Sequence, residues 1–151
     1  ADPDQALLLL ERICERAGPQ GVDEMLTAVA ANAELRERLL AVLHRPVVRD
    51  GQWQLLECHA AWDGNGSADA FIAYAWQGRD GDRLMVAVNY SDHQSQCYVG
   101  LPFPDLAGRP WRLRDMLGDA SYDREGTDLH SRGLYLDVKP WQYHVFEISN
   151  A

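Results

Sequence analysis

Five carboxylates in the second half of the chain come nearest to a catalytic pattern. They are Asp115, Asp119, Asp123, Glu125 and Asp128. Two carboxylates held at the right separation can hydrolyse a glycosidic bond. The stretch that carries these five predicts a strand followed by a polar loop, where solvated acids are commoner than a catalytic pair. We therefore predict no catalytic residue, although an independent enzyme using these acids stays an alternative.

Other catalytic and metal patterns find no support in the sequence. It contains no G-x-S-x-G elbow, no catalytic Cys/His signature, no P-loop and no G-x-G-x-x-G motif. His93 and Cys97 lie four positions apart and could share a metal on a helix. Their segment predicts a turn and then a strand, so the two side chains would not converge. We predict neither a metal site nor a cofactor.

Residues 63–69 carry the one pattern that suggests calcium. The segment alternates oxygen-bearing side chains as a calcium loop does. It lacks the glycine at the sixth place, and Tyr74 stands where the bidentate glutamate belongs. A tight hairpin loop explains the same residues, because Asn and Gly tolerate positive φ. Calcium is therefore the minor alternative.

Exposed tryptophans are candidates for a carbohydrate platform, because sugar rings stack on flat aromatic faces. Trp62 precedes an Asp63-Gly64 turn, and Trp141 lies in the polar segment 139–142. We name these two as candidate carbohydrate-binding residues. Packing in the core is the commoner role of a large aromatic residue. The five tryptophans are Trp53, Trp62, Trp76, Trp111 and Trp141.

The composition of the chain bears on which partners it can bind and in which compartment it is found. A net charge of −9 disfavours binding to nucleic acid and to anionic lipid. No apolar run is long enough to span a bilayer, and the N-terminus lacks the basic start of a secretory signal. Cys14, Cys58 and Cys97 form no disulfide framework, so reduced thiols and a cytoplasmic location are expected.

The sequence pattern changes near residue 45, from helical periodicity to short β-rich runs. Residues 1–45 predict two or three helices, the last over residues 33–44 with Asn32 as its cap. That helix carries an apolar stripe, and Pro46 is expected to end the helical part. The stripe consists of Leu35, Leu39, Val42 and Leu43.

Residues 46–151 predict an antiparallel β-sandwich, making the chain mainly β. Short β-rich runs alternate with Gly, Asp, Asn and Pro. The apolar run 84–88 predicts a central strand covered on both faces. Seven strands are expected, over residues 53–59, 70–76, 84–90, 96–101, 111–116, 134–138 and 143–148. The predicted core comprises Leu84, Val86, Val88, Leu134, Leu136, Phe146 and Ile148.

Three stretches together resemble one family. Residues 35–56 resemble a last barrel helix, its basic exit and an aromatic strand start. Residues 84–92 resemble an apolar strand that ends in Asn. Residues 111–117 and 133–146 resemble that family's closing pattern of strands. The family is the α-amylase superfamily of glycoside hydrolases, and the resemblance is to its C-terminal β-domain together with the last barrel helix.

The resemblance implies a non-catalytic domain. Its partner would be an upstream (β/α)8 barrel, whose loops carry the family's catalytic Asp, Glu and second Asp. None of those motifs occurs here, and the chain is too short for a barrel. The parent enzyme would act on α-linked glucans, by hydrolysis or transfer, through the retaining route. A carbohydrate-binding module that uses Trp62 or Trp141 is the alternative, and the helical lead-in is expected to support self-association.

Overall fold

The computed structural model of the chain describes residues 32–151. This part contains nine strands in two antiparallel sheets, three α-helices and a short 3₁₀ helix, which confirms the predicted mainly β class. The helices predicted before residue 32, and Cys14, lie outside the described residues. No helix in the described part is long and apolar enough to cross a membrane.

Two helices precede the strands. Helix α1 (Ala33–Leu43) begins at Asn32, whose side-chain oxygen accepts a hydrogen bond of 3.0 Å from the backbone N–H of Leu35. The predicted cap is therefore confirmed. Helix α2 (Pro46–Asp50) corrects the prediction that Pro46 ends the helical part. Proline is tolerated at the first helical position, because the N–H that it lacks would have had no partner there.

Nine strands form the two sheets of the described part. They are β1 (Gln52–Leu55), β2 (Cys58–Ala60), β3 (Phe71–Gln77), β4 (Arg83–Asn89), β5 (Ser95–Val99), β6 (Pro110–Asp115), β7 (Ser121–Glu125), β8 (Leu134–Val138) and β9 (Tyr143–Asn150). The six-stranded sheet has the order β1-β3-β4-β9-β6-β7, and the three-stranded sheet has the order β2-β5-β8. Helix α3 (Gly126–Ser131) joins β7 to β8.

Two of the strand predictions need correction. The single strand expected over residues 53–59 is two strands, because β1 pairs with β3 while β2 pairs with β5 in the other sheet. The polar loop expected after β6 contains β7, which pairs with β6. All five residues of β7 are exposed, so this edge strand has no apolar alternation that would predict it.

Strand β4 is covered on both faces, as predicted. Met85 and Ala87 face the three-stranded sheet, whereas Leu84 and Val86 face the helices. Of the seven residues predicted for the core, Val88 alone is half-buried. The other six are buried: Leu84, Val86, Leu134, Leu136, Phe146 and Ile148.

The helices form a third layer on the outer face of the six-stranded sheet. Val42 of α1 and Val47 of α2 pack there against Val145 and its neighbours. The predicted stripe on α1 is only partly buried, because the helix meets the sheet through Val42 near its C-terminal end. Leu35 and Leu39 are half-buried and Leu43 is 51% exposed, while Leu40, which lies outside the predicted stripe, is 47% exposed.

Candidate carbohydrate-binding surface

Trp62 lies in the loop between β2 and the 3₁₀ helix (Ser67–Ala70) and is 56% exposed. The loop is tied down beside it. Asn65 Oδ1 accepts hydrogen bonds from the backbone N–H and the hydroxyl of Ser67, at 2.7 and 2.6 Å. Ser67 Oγ in turn accepts from the backbone N–H of Gln96 at 2.9 Å. The indole therefore projects from a loop that is fastened to β5.

The same bonds bear on the calcium alternative. The side-chain oxygens of Asn65 and Ser67 are engaged within the loop and with β5. Hydrogen bonds within the turn therefore account for the presence of Asn65 and Ser67 in this loop. Among residues 32–151, no three His, Cys, Asp or Glu side chains are grouped closely enough to hold a metal ion.

Trp141 lies in the loop between β8 and β9 and is 48% exposed. Its φ of 57° is positive, a conformation that no other non-glycine residue of the described range adopts. A non-glycine residue in the left-handed region costs on the order of 1–2 kcal/mol. The loop thus holds an exposed indole in a strained backbone, a feature that clusters at functional sites.

Asn89 supports the Trp141 loop from beneath. Its side chain is fully buried at the end of β4. The amide nitrogen donates to the backbone oxygens of His93, Val138 and Lys139, at 2.8, 2.9 and 3.1 Å. The backbone N–H of Trp141 donates to the oxygen of Ser91 at 3.2 Å. The asparagine at the end of the apolar strand thus joins two neighbouring loops.

The loops that carry Trp62 and Trp141 lie at one end of the sandwich. Strands β2 and β8 both pair antiparallel with the central strand β5, so both end where β5 begins. Trp62 follows β2 and Trp141 follows β8, at the two edges of the three-stranded sheet. Two strand spacings, about 10 Å, separate the ends of these edge strands. The structure thus places the two predicted residues at the same end of one sheet.

The remaining tryptophans pack inside the fold. Trp111 is buried, and its ring N–H donates to the backbone oxygen of Leu106 at 2.9 Å. Trp53 and Trp76 are cross-strand partners and are half-buried, with ring centroids 6.1 and 5.2 Å from that of Tyr74. Packing therefore accounts for three of the five tryptophans.

The acidic cluster does not converge. Asp115 contacts His144 at 2.7 Å, Asp119 contacts Arg38 at 2.9 Å, and Asp123 contacts Arg112 at 2.8 Å. The hydrogen bond from Arg112 lowers the pKa of Asp123. A general acid needs a raised pKa, as a carboxyl gains in an apolar pocket. Asp115, Asp119 and Asp123 thus have separate partners, and these three carboxylates form no acid–nucleophile pair with one another.

Sequence reasoning missed two arrangements of side chains. The Asp115–His144 contact joins residues 29 positions apart, which only the pairing of β6 with β9 brings together. Tyr98 and Tyr135 pack against each other on the outer face of the three-stranded sheet, with tilted rings whose centroids are 5.3 Å apart. Tyr135 lies between two predicted core residues, Leu134 and Leu136, but no sequence pattern indicated its partner on β5.

No protein-family model matches this chain, and no curated protein does so either. Among solved structures, the chain is similar to a "putative alpha-N-acetylgalactosaminidase" from Bacillus halodurans C-125. The match has 16% identity and a TM-score of 0.44, and it covers 66% of this chain. It spans only 22% of that protein. A likeness at this level assigns neither an activity nor a ligand to the present chain.

Proposed function

We propose that this chain is the non-catalytic C-terminal β-domain of an α-amylase-superfamily glycosidase. It packs against the catalytic barrel through helix α1 and stabilises it, and the whole enzyme acts on α-linked glucans. The exposed apolar face of α1 carries the proposal. The stretches that resemble the family support it, because they fall on α1 to β1, on β4 and on the closing strands.

Helix α1 has two apolar faces. Val42 is buried against the six-stranded sheet, while Leu40 and Leu43 are about half exposed on another side of the helix. Residues three apart are neighbours on a helix surface, so these two leucines form one patch. Burying a leucine stabilises a protein by about 1.5–3 kcal/mol relative to leaving it in water. A helix that is apolar on two sides fits between two layers, here the sheet and the proposed barrel.

Two ion pairs hold α1 and its exit in position for such a contact. Arg38 reaches Asp119 beyond the end of β6, at 2.9 Å. Arg45 pairs with Glu147 of β9, whose carboxylate also pairs with Arg114. The helix is therefore attached to the sheet by charged contacts as well as by Val42.

The thiols fit a reducing compartment, and we propose a cytoplasmic location. Cys97 is fully buried on β5. A hydrogen bond with Cys58 and burial both raise the pKa of its thiol. A buried thiol of this kind is inert.

The coding region upstream of this chain tests the domain proposal. We expect an in-frame (β/α)8 barrel with paired catalytic carboxylates. We also expect this chain alone to leave maltodextrin intact, because its acids are separated. An upstream region that encodes no barrel would overturn the proposal. So would turnover that persists on repurification and is lost in Asp115→Asn.

A second candidate function is carbohydrate binding at the loop end, favoured by the exposure of Trp62 and the strained backbone of Trp141. Affinity electrophoresis through a gel that contains soluble starch tests it. We expect retardation of the chain, reduced in Trp62→Ala and in Trp141→Ala. Tyr122→Ala is the matched control, because Tyr122 is 39% exposed but lies on β7, at the far edge of the six-stranded sheet. Equal mobility with and without starch would contradict this function.

A further inference from the structure

The outer face of the three-stranded sheet carries an aligned row of ring side chains. His59, Tyr98 and Tyr135 are cross-strand partners on β2, β5 and β8. Their sequence neighbours Cys97, Val99 and others face the core, so the row itself faces away from the core. This row spans two strand spacings, about 10 Å.

Tyr135 offers the most accessible ring in this row. It is 44% exposed, and its centroid lies 5.3 Å from that of Tyr98, with the rings tilted by 56°. Arg132 holds Tyr98 from the side: its guanidinium lies 5.0 Å from the ring centroid and donates to the hydroxyl at 2.6 Å. One ring is thereby fixed, and the other presents its surface to solvent.

A polar row lies directly beside the ring row. Gln96 and Asp137 are cross-strand partners one step along the same face. The amide groups of Gln94 and Gln96 both donate to Asp137 Oδ1, at 2.8 and 2.9 Å. Both bonds reach the same oxygen, which leaves Asp137 Oδ2 without a hydrogen bond from the described residues. The two amides hold the carboxylate in one orientation, as a binding site requires.

We propose that this face binds a neutral oligosaccharide of pyranose units. One sugar ring packs on Tyr135, and its hydroxyl groups donate to Asp137 Oδ2 and accept from the amide of Gln96. A row about 10 Å long accommodates two sugar rings. This surface lies on the opposite side of the sandwich from helix α1, so it does not depend on the proposed contact with a barrel. Gln96 joins it to the loop of Trp62, because its side-chain oxygen accepts a hydrogen bond from the amide of Asn65 at 3.4 Å.

Charge and chemistry on the face favour this occupant over others. Arg132 offsets only part of the negative charge of Asp137 and of Glu57, which lies 3.7 Å from His59, so the face does not favour an anion. A phosphate-bearing ligand would meet the carboxylate of Asp137, and the chain's charge of −9 repels nucleic acid as a whole. An aromatic ring beside hydrogen-bonding groups of both kinds suits a ligand with one apolar face and a rim of hydroxyl groups.

Titration of the ¹⁵N-labelled chain with maltoheptaose, and separately with cellohexaose, tests the proposal and tells α-linked from β-linked glucans. We expect saturable amide shifts on β5 and β8 with at least one probe. Tyr135→Ala should weaken binding about tenfold, which corresponds to about 1.4 kcal/mol. Asp137→Asn should weaken it less, and Tyr143→Ala should bind as the unchanged chain does.

Three results would overturn the proposal. The first is the absence of amide shifts on this face with either probe at about 10 mM, a concentration far above the dissociation constant of a specific binding site. The second is binding that moves only the loops of Trp62 and Trp141, which would favour the second candidate function alone. The third is a dimer that forms with concentration and is lost in Tyr135→Ala, because the face would then be a protein interface. Tyr98→Ala serves as the second variant if Tyr135→Ala unfolds.

Discussion

The carboxylate of Asp115 lies 2.7 Å from Nδ1 of His144, where β6 and β9 run side by side. Its other oxygen accepts the backbone N–H of Leu117 at 3.1 Å and so fixes the turn after β6. Burial raises the pKa of Asp115, but the hydrogen bonds from His144 and Leu117 outweigh this and hold it below the ordinary 3.8. The ionised carboxylate is therefore part of the folded structure.

We predict that Asp115 makes the fold sensitive to acid. Its pKa is lower in the folded chain than in the unfolded chain, so its contribution to stability is fully present above about pH 4. That contribution is lost as the pH falls through the folded-state pKa. Asp115→Asn should lower the free energy of unfolding near neutral pH and flatten its decline below about pH 5. Urea unfolding across a pH series measures both effects.

Asp92→Asn is the control for this experiment. Asp92 lies on the loop after β4 with its side chain 88% exposed, and it contacts only His93. Exposed pairs of this kind contribute little to stability. If the free energy of unfolding declines below about pH 5 as steeply in Asp115→Asn as in the unchanged chain, the proposed role of Asp115 is contradicted.

The sandwich core gives a second prediction. Leu136 is 6% exposed and points between the sheets, while Tyr135 beside it points outward. Leu136→Ala should cost about 2–5 kcal/mol, through lost apolar burial and the cavity that remains. Tyr135→Ala on the same strand should cost less, because its ring is already partly in water. Chemical denaturation compares the two, and a loss below about 0.5 kcal/mol in Leu136→Ala would contradict the register.

Much of the fold was predictable from periodicity. The alternation along β8 fixed which face of that strand is buried, and the unbroken apolar run of β4 predicted cover on both sides. The cap at Asn32 followed from local chemistry alone. These features depend on residues close in sequence, where the pattern and the physical cause coincide.

What could not be predicted depends on distant contacts. Strand β7 has only exposed residues, so its place in the sheet comes from pairing with β6. Gly126 looks like an ordinary loop glycine, yet a Cβ there would lie 1.8 Å from the backbone oxygen of Leu106. The contact of Tyr98 with Tyr135 likewise needs the register of β5 against β8. The exposure of Trp62 and Trp141 also came only from the structure, because a tryptophan in a loop fits either environment.

Trp141 yields a third prediction, since its backbone is strained. Trp141→Gly should relieve the cost of positive φ, and we expect the free energy of unfolding to rise or to stay level, within about 1 kcal/mol. The same change should reduce retention on starch, because the exposed indole is lost. Thermal unfolding and affinity electrophoresis give the two readouts. A large loss of stability would show that the ring packs in the fold and is not held for a ligand.

The exposed leucines of α1 give the last prediction. Leu40 and Leu43 form one apolar patch that the described sheet does not cover, and such a patch favours association when its partner is absent. We expect this chain to self-associate as its concentration rises, through a symmetric contact of two α1 helices. Leu40→Ser combined with Leu43→Ser should remove the association and leave the stability of the sandwich nearly unchanged. Leu55→Ser is the matched control, because Leu55 is 37% exposed on β1 at the edge of the six-stranded sheet. Light scattering over a concentration series measures the mass. A monomer at every concentration would contradict the prediction and weaken the proposal that α1 is built to meet a barrel.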